Sequence, residues 1–361
     1  MTLKPFACIA AMALLPPCVR GAEATPPAAP LPHAHLYENL AEKLTPQGLE
    51  LIPGVLQAGM LLEVQAYYAE QGGTNSSDLK LATFELGLDG ELNENVKGHA
   101  LLLWEQDETE PLDLDEGFVT LGGSEQIPLS LTAGRLYLPF GAYYNHCISD
   151  PLTQGLGEIR KTAALLGYAC EWCDIRAGVF RRDLAGEDQE RLNRFAASLT
   201  LNPADFVQLG GYLLSDLGET DGLQDGIKSN TSPADSAAMP AEHDPVPGAG
   251  GFVHLARGIF ALEGEYIAAA KKFAPGVLAD ERLQPAAWNV ELACMIRPYM
   301  EIAGRYEGSR DFPDVPRHQC GGAVTCNVCR NTTLAVEYLY GKFSGNLPDR
   351  HLTTTQLALE F

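Results

Sequence analysis

From Met60 onward the sequence keeps repeating one pattern, runs of about ten residues with apolar side chains at every second position. Met60, Leu62, Val64, Ala66 and Tyr68 share a face opposite Glu63, Gln65 and Tyr67. Ala286, Trp288, Val290 and Leu292 oppose Asn289 and Glu291, and Leu334, Val336, Tyr338 and Tyr340 oppose Glu337. A period of two is the signature of strands with one apolar and one polar face. Strands are expected near 60–70, 78–89, 94–106, 115–122, 128–138, 161–170, 174–182 and 191–201. Eight more are expected near 205–215, 250–256, 258–270, 284–296, 299–308, 318–327, 332–343 and 351–361, sixteen in all.

The last run, His351 to Phe361, puts Leu357, Leu359 and Phe361 on one face and Gln356 and Glu360 on the other. A strand at a chain end leaves an unpaired edge unless it meets the first strand in a closed ring. The alternative is a soluble β-sandwich. Loop lengths separate the two. Tight turns at Leu88–Glu91, Glu171–Trp172 and Leu201–Ala204 alternate with longer connections at 107–114, 139–160, 216–249 and 344–350. A sandwich has no cause for that alternation, whereas a membrane barrel does. The expected fold is all-β, a transmembrane antiparallel β-barrel of about 16 strands over 59–361, with an inward-folded constriction loop.

The other end agrees. A basic start at Met1–Lys4, an apolar run at Phe6–Leu15, Pro16-Pro17 and the small residues Ala22 and Ala24 read as a secretory signal over 1–24. Residues 25–58, opening Pro/Ala-rich, read as a periplasmic tail, with a short helix around Tyr37–Leu44. No stretch is long and apolar enough for a membrane helix. Mean hydropathy of -0.07 suits alternating strands. An even strand number puts both termini in the periplasm.

The formal net charge is -22, and removing the signal takes away Lys4, Arg20 and Glu23, which leaves about -23. That excess excludes a nucleic-acid partner, whose phosphates demand a basic patch. It suits solvated loops and a polar lumen. The seven cysteines beyond the signal are Cys147, Cys170, Cys173, Cys294, Cys320, Cys326 and Cys329, an odd number with at least one unpaired thiol.

The most specific stretch is Leu131-Thr-Ala-Gly-Arg-Leu-Tyr-Leu-Pro-Phe-Gly141, which runs on to Ile148-Ser-Asp-Pro-Leu-Thr-Gln-Gly-Leu-Gly-Glu158. With Leu81-Ala-Thr-Phe-Glu-Leu-Gly-Leu-Asp89, Ala287-Trp-Asn-Val-Glu-Leu292, Arg305-Tyr-Glu-Gly308 and Asn331-Thr-Thr-Leu-Ala-Val-Glu-Tyr338, it resembles the LbtU-type siderophore-porin family, typified by the legiobactin receptor of Legionella. The likeness covers roughly 60–361. It implies an outer-membrane barrel that passes a siderophore or similar solute. Separately, the His351–Phe361 ending resembles the terminal signature of bacterial outer-membrane β-barrels, which implies that Phe361 is read by the barrel-assembly machinery. Cysteines around 320–329 depart from the family pattern, which has aromatic or small residues there.

The residues support a pore independently of that resemblance. The segment after Gly134 joins strands five and six, and a sixteen-stranded barrel otherwise leaves an open aqueous channel. The parity slip expected at Gly134 turns Arg135 and Tyr137 inward and Leu136 and Leu138 outward. The loop then brings Tyr143, Tyr144, Asn145, His146, Asp150, Glu158, Arg160 and Lys161 to the constriction. Mixed charges across a pore orient and filter solutes. Parity adds Glu263, Glu265, Asn289, Glu291, Glu301 and Arg305 to the lumen, because charges on the lipid face are costly. The competing reading is a structural loop whose charges pair with the wall.

Other readings are weaker. Cys170-Glu-Trp-Cys173 and Cys326-Asn-Val-Cys329 look like halves of a zinc site but lie too far apart in sequence, so local disulfides or solitary thiols are favoured and no metal is expected. Asp113 and Asp115 lack the spacing of a calcium loop. No Ser–His constellation or phosphate loop is evident, so neither an enzyme nor a cofactor is expected. The chain is too short for the 22 strands and plug of an energised transporter, so passive diffusion is expected. The rivals are a general or nutrient- and ion-selective porin, and a plugged barrel that acts as a surface-interaction protein through 216–249. Porins of this size are often trimers, and Ala- and Leu-rich outer faces suit membrane lipid and a neighbouring copy alike.

Overall fold

The computed structural model describes residues 49–106, 109–124, 127–184, 192–231, 244–345 and 347–361. The signal segment and the possible helix at Tyr37–Leu44 lie outside the described residues. The strands are β1 (Leu49–Ile52), β2 (Leu56–Gln71), β3 (Thr74–Asn93), β4 (Val96–Glu105), β5 (Thr109–Gly122), β6 (Leu129–Tyr137), β7 (Arg160–Cys170), β8 (Cys173–Arg181) and β9 (Leu192–Ala204). They continue as β10 (Val207–Leu214), β11 (Gly248–Arg257), β12 (Phe260–Ala269), β13 (Ala286–Arg297), β14 (Met300–Arg310), β15 (His318–Cys329), β16 (Thr332–Lys342) and β17 (Arg350–Glu360). Three helical pieces interrupt them: α1 (Leu152–Gly157), a 3-10 turn (Leu217–Glu219) and α2 (Asp221–Thr231).

Each strand from β2 to β17 pairs antiparallel with the next, and β17 returns to β2, from Arg350 opposite Gln71 to Glu360 opposite Leu61. The ring therefore closes on sixteen strands, with Phe361 exchanging backbone hydrogen bonds with Met60 at 3.0 and 3.1 Å. β1 is an addition to that ring. It folds back on the start of β2, Leu49 opposite Ala58, inside the stretch read from sequence as tail.

Sequence parity placed the strands but not all of the turns. Leu88–Glu91 lies within β3, whose turn is at Glu94–Asn95, and Leu201–Ala204 belongs to β9, which turns at Asp205–Phe206. Most of the expected 107–114 loop is strand β5, with a register shift between Leu101 and Leu102 that accommodates one extra residue near Asp115. These boundaries are set by pairing across the sheet, which local turn composition does not report.

The outer face is apolar and exposed: Leu131, Leu166, Phe195, Leu213, Tyr266, Val290 and Leu292 are among the exposed large side chains. The buried apolar cluster stands on the opposite face of the same strands, so the core lies inside the ring. Ala163 and Leu165 (β7), Phe180 (β8), Ala196 (β9), Tyr212 and Leu214 (β10), Phe252 (β11) and Ile267 (β12) supply its wall. Leu138, Phe140, Leu156 and Ile159 of the β6–β7 connection, and Leu217, Leu223 and Ile227 of the β10–β11 connection, fill it. Each fully buried Leu, Ile or Phe among them contributes about 1.5–3 kcal/mol. The first part of the 216–249 connection is thus a packed helical segment and not an open loop; residues 232–243 lie outside the described ones.

Candidate functional site

The 138–159 connection leaves β6 and enters β7, yet its partners are on strands about half the ring away. Ala142 N–H donates to Glu265 on β12 at 2.7 Å, and Thr153 Oγ1 donates to the other carboxylate oxygen at 2.6 Å. The backbone N–H of His146 donates to Glu291 on β13, that of Leu152 to Glu307 on β14 at 2.7 Å, and that of Ser149 to Glu337 on β16 at 3.1 Å. These glutamates alternate along their strands with exposed Leu262, Tyr266, Val290, Leu292, Ile302 and Tyr306. They therefore face the interior, and the connection stands against the inner side of β12–β16.

Four wall carboxylates accepting four backbone N–H groups form an anchoring ladder. Arg305 neutralises part of it. Its Nε donates to Glu291 Oε2 at 2.7 Å, its Nη1 donates to Ser149 O at 2.7 Å, and its Nη2 donates to Asn145 Oδ1. His146 adds a second clamp, with Nδ1 3.0 Å from Glu301 and Nε2 3.3 Å from Glu263. Burial works against the imidazolium, but hydrogen bonds to Glu263 and Glu301 outweigh it and push the His146 pKa up to about 10. The tautomer question disappears when both ring nitrogens carry protons.

Two glycine-dependent geometries shape the segment. Gly134 has φ +148°, and a Cβ there would stand 2.2 Å from Gly117 O on the neighbouring strand. Gly141 has φ +129° and lies under the Tyr143 ring, whose Cζ would be 1.9 Å from an added Cβ. No other residue type fits either place.

The expected parity slip at Gly134 does not occur. Register runs unbroken through Gly134 opposite Phe118 and Ala163, then Arg135 opposite Gly117 and Thr162. Leu136 and Leu138, expected outward, are 3% and 5% exposed within the interior cluster, which corrects that expectation, and Arg135 is half-buried between Gly117 and Thr162. Gly134's unusual φ brings two strands close without inserting an extra residue. Tyr137 and its cross-strand partner Arg160 pack together, the guanidinium 5.8 Å from the ring centroid and ion-paired with the buried Asp115. Arg135 pairs with Asp113 at 3.2 Å.

The remaining expected residues serve the anchor. Tyr144 hydrogen-bonds Gln208 and stacks on His254 at 4.6 Å, and His254 Nδ1 lies 2.7 Å from Glu263. Tyr143 donates to Phe140 O. Lys161 is buried and paired with Asp183 at 2.5 Å and Glu219 at 3.3 Å. Asn289 is buried on β13. Glu158 accepts from Gln154 at 2.6 Å; burial first, then the Asp150 carboxylate, push its pKa up to about 8.

Of the named residues, Asp150 borders an interior cavity of about 520 Å³ on the β2–β4 side of the ring, lined by Glu63, Gln65, Lys80, Glu85, Glu105 and Ser149 among others. Sequence reasoning missed this acidic lining, although Glu63 and Gln65 fall on the polar face of their strand. It also missed Glu307, two positions beyond Arg305 on the same face. The two Cys-x-x-Cys pairs stand at the β7–β8 and β15–β16 turns, on different sides of the ring. Cys170 and Cys173 face each other with sulfurs 3.1 Å apart. Among the described residues no group of three His, Cys, Asp or Glu side chains could hold a metal.

No family model matches the chain. In sequence it is similar to a UPF0422 protein of Legionella pneumophila, 22% identical over 293 residues, 72% of this chain and 54% of that one. A UPF0422 protein of Coxiella burnetii is 28% identical over 138 residues, 37% of this chain and 30% of that one. The chain spans about half the length of the first of these relatives and less of the second. In structure it is similar to OprB of Pseudomonas putida, with TM-score 0.61 at 11% identity over 86% of this chain and 96% of that one. The outer-membrane channel DcaP of Acinetobacter baumannii gives 0.59 at 14% identity over 85% and 97%. At such identities the likeness carries the fold alone: this chain has the sixteen-stranded barrel fold of outer-membrane porins.

Proposed function

We propose that this protein is an integral barrel of the bacterial outer membrane, with periplasmic termini, that lets small polar solutes diffuse passively past the anchored 138–159 segment. The observation that carries this reading is the acidic cavity left between that segment and strands β2–β4. Filling one side of a ring and leaving the other aqueous is how a barrel of this size sets a size limit. Glu63, Glu85, Glu105 and Asp150 against Lys80 favour cationic over anionic solutes. The mature residues then begin after Ala24, with 25–58 as a periplasmic tail. Phe361 serves as the signal for barrel assembly, and a homotrimer is compatible with the apolar outer face.

A siderophore is the finer proposal for the solute. It draws on the resemblance of the 131–158 segment to siderophore porins, and on an energy-independent route. Planar-bilayer recording with the purified barrel tests the pore: discrete, cation-selective steps are expected, and no steps would overturn it. Flux of ferric siderophores against sugars of equal size into liposomes tests the solute. Rates that depend on size alone would leave a general porin.

A further inference from the structure

We propose that Cys170 and Cys173 form a disulfide across the β7–β8 turn, and that the second Cys-x-x-Cys pair, Cys326 and Cys329, does not. The spacing in sequence is the same, but the strands place the two pairs differently. Cys170 ends β7 and Cys173 begins β8, with Glu171 and Trp172 as the whole of the turn. The two cysteines are direct cross-strand partners, with sulfurs 3.1 Å apart. Directly opposite residues of an antiparallel pair have Cα atoms about 4.5–5.5 Å apart, inside the roughly 4.4–6.8 Å that a disulfide spans. Side chains of such a pair stand on the same side of the sheet, so no backbone movement is needed to join them.

Cys326 and Cys329 both belong to β15, whose turn to β16 is Arg330-Asn331. Across the sheet Cys326 meets Met300 and Leu334, and Cys329 meets Thr332. Three positions along an extended strand span about 10 Å, beyond the reach of one disulfide. Cys294 lies opposite Phe260 and Ile302, and Cys320 opposite Tyr306 and Tyr340. Among the described residues, the β7–β8 turn is thus where the sheet sets cysteine against cysteine. The bond fixes the register of a hairpin that carries Ala163, Leu165 and Phe180 of the interior cluster, and a one-residue slip would turn those side chains outward. Closure takes an oxidant that itself carries a disulfide, R–S–S–R. Cys170 is half-buried and Cys173 only 3% exposed, so Cys170 meets it first. The Cys170 thiolate, its proton lost to water, attacks one sulfur and expels one RS−, which leaves a mixed disulfide. The Cys173 thiolate then attacks the Cys170 sulfur and expels the second RS−. Two protein thiols are oxidised, one R–S–S–R is reduced to two R–SH, and the two protons end on the leaving thiolates.

The test equilibrates the detergent-purified full-length barrel with oxidised glutathione, removes the oxidant, blocks the remaining thiols with iodoacetamide in denaturant and cleaves after glutamate. The fragments that end at Glu171 and begin at Trp172 are expected to stay joined until a reductant is added. The fragment 308–337, with Cys320, Cys326 and Cys329, is expected to carry no internal bridge. Cys173→Ser should stop at the glutathione adduct on Cys170, and the digest of the parent needs no variant to fold. Separated fragments with both cysteines alkylated overturn the proposal, and so does an equal bridge between Cys326 and Cys329. The inference uses the membrane-barrel reading only in taking the short-turn end to face an oxidising periplasm. The same digest from acid-quenched cells reads that placement: a bond that closes in the purified barrel but stays open in cells keeps the pairing and rejects the periplasmic end.

Discussion

Glu291 and Arg305 face each other across β13 and β14 as a fully buried ion pair, Nε to Oε2 at 2.7 Å. Each also holds the 138–159 segment, Glu291 through the His146 N–H and Arg305 through Ser149 O. The pair is the junction between barrel wall and filling. A buried pair of this kind gains little over an apolar one, but breaking it strands a charge without solvent.

Arg305→Ala should therefore cost about 3–5 kcal/mol, because the buried carboxylates of Glu291 and Glu307 lose their common counter-charge. Arg305→Lys keeps the charge but loses the fork that reaches Asn145 and Ser149 together, so it should recover only part. Thermal unfolding and single-channel conductance check this. The alanine variant should unfold at lower temperature and conduct in larger, noisier steps. A parent-like conductance would mean that the segment is held without this junction.

His146 gives the anchor a pH dependence. Its pKa rises from 6.5 to about 10 in the folded barrel, so its contribution is fully present below pH 6.5 and is lost as pH climbs through about 10. Conductance noise should therefore increase between pH 9 and 11, with the loop losing its hold on Glu263 and Glu301. His146→Gln should show the high-pH behaviour already at neutral pH. A variant with the parent's pH profile would assign the change to another group.

Glu158 works in the opposite direction. Burial, then the Asp150 carboxylate, raise its pKa from 4.5 to about 8, so the folded state keeps a proton that the unfolded chain releases. The cost is absent below pH 4.5, grows as pH rises and is complete above about 8. Glu158→Gln keeps the hydrogen-bonding shape with Gln154 and removes the cost. Its unfolding temperature should match the parent's at pH 4 and exceed it at pH 8.5. A constant difference at both values would point to packing instead.

All sixteen barrel strands were legible in the sequence because their outer faces repeat apolar residues at every second position. Turns were less legible, since β3 and β9 extend past Gly90 and Pro203 for pairing reasons that local composition does not encode. The site was half legible. Parity correctly put Glu263, Glu265, Glu291 and Arg305 on the inner face. It could not say that the loop would consume them as anchors, because that depends on contacts 112 to 160 residues away in sequence. Gly134 misled for a different reason: a glycine at an apparent parity slip reads as a bulge, whereas here its positive φ serves a close strand approach in unbroken register.

Selectivity follows which charges border the cavity: Glu105 and Asp150 line it, whereas Arg135 does not and is paired with Asp113. Removing one carboxylate charge about 6 Å from a passing ion in a water-like dielectric changes its energy by about 0.7 kcal/mol, or roughly threefold in relative permeability. Glu105→Gln and Asp150→Asn should each lower the cation-to-anion ratio by about that factor, more at low salt than at high. Arg135→Ala should leave the reversal potential where it was. Reversal potentials in a potassium chloride gradient decide between the arrangements. A shift with Arg135→Ala and none with Glu105→Gln would put Arg135 beside the conducting path and move that path away from β2–β4.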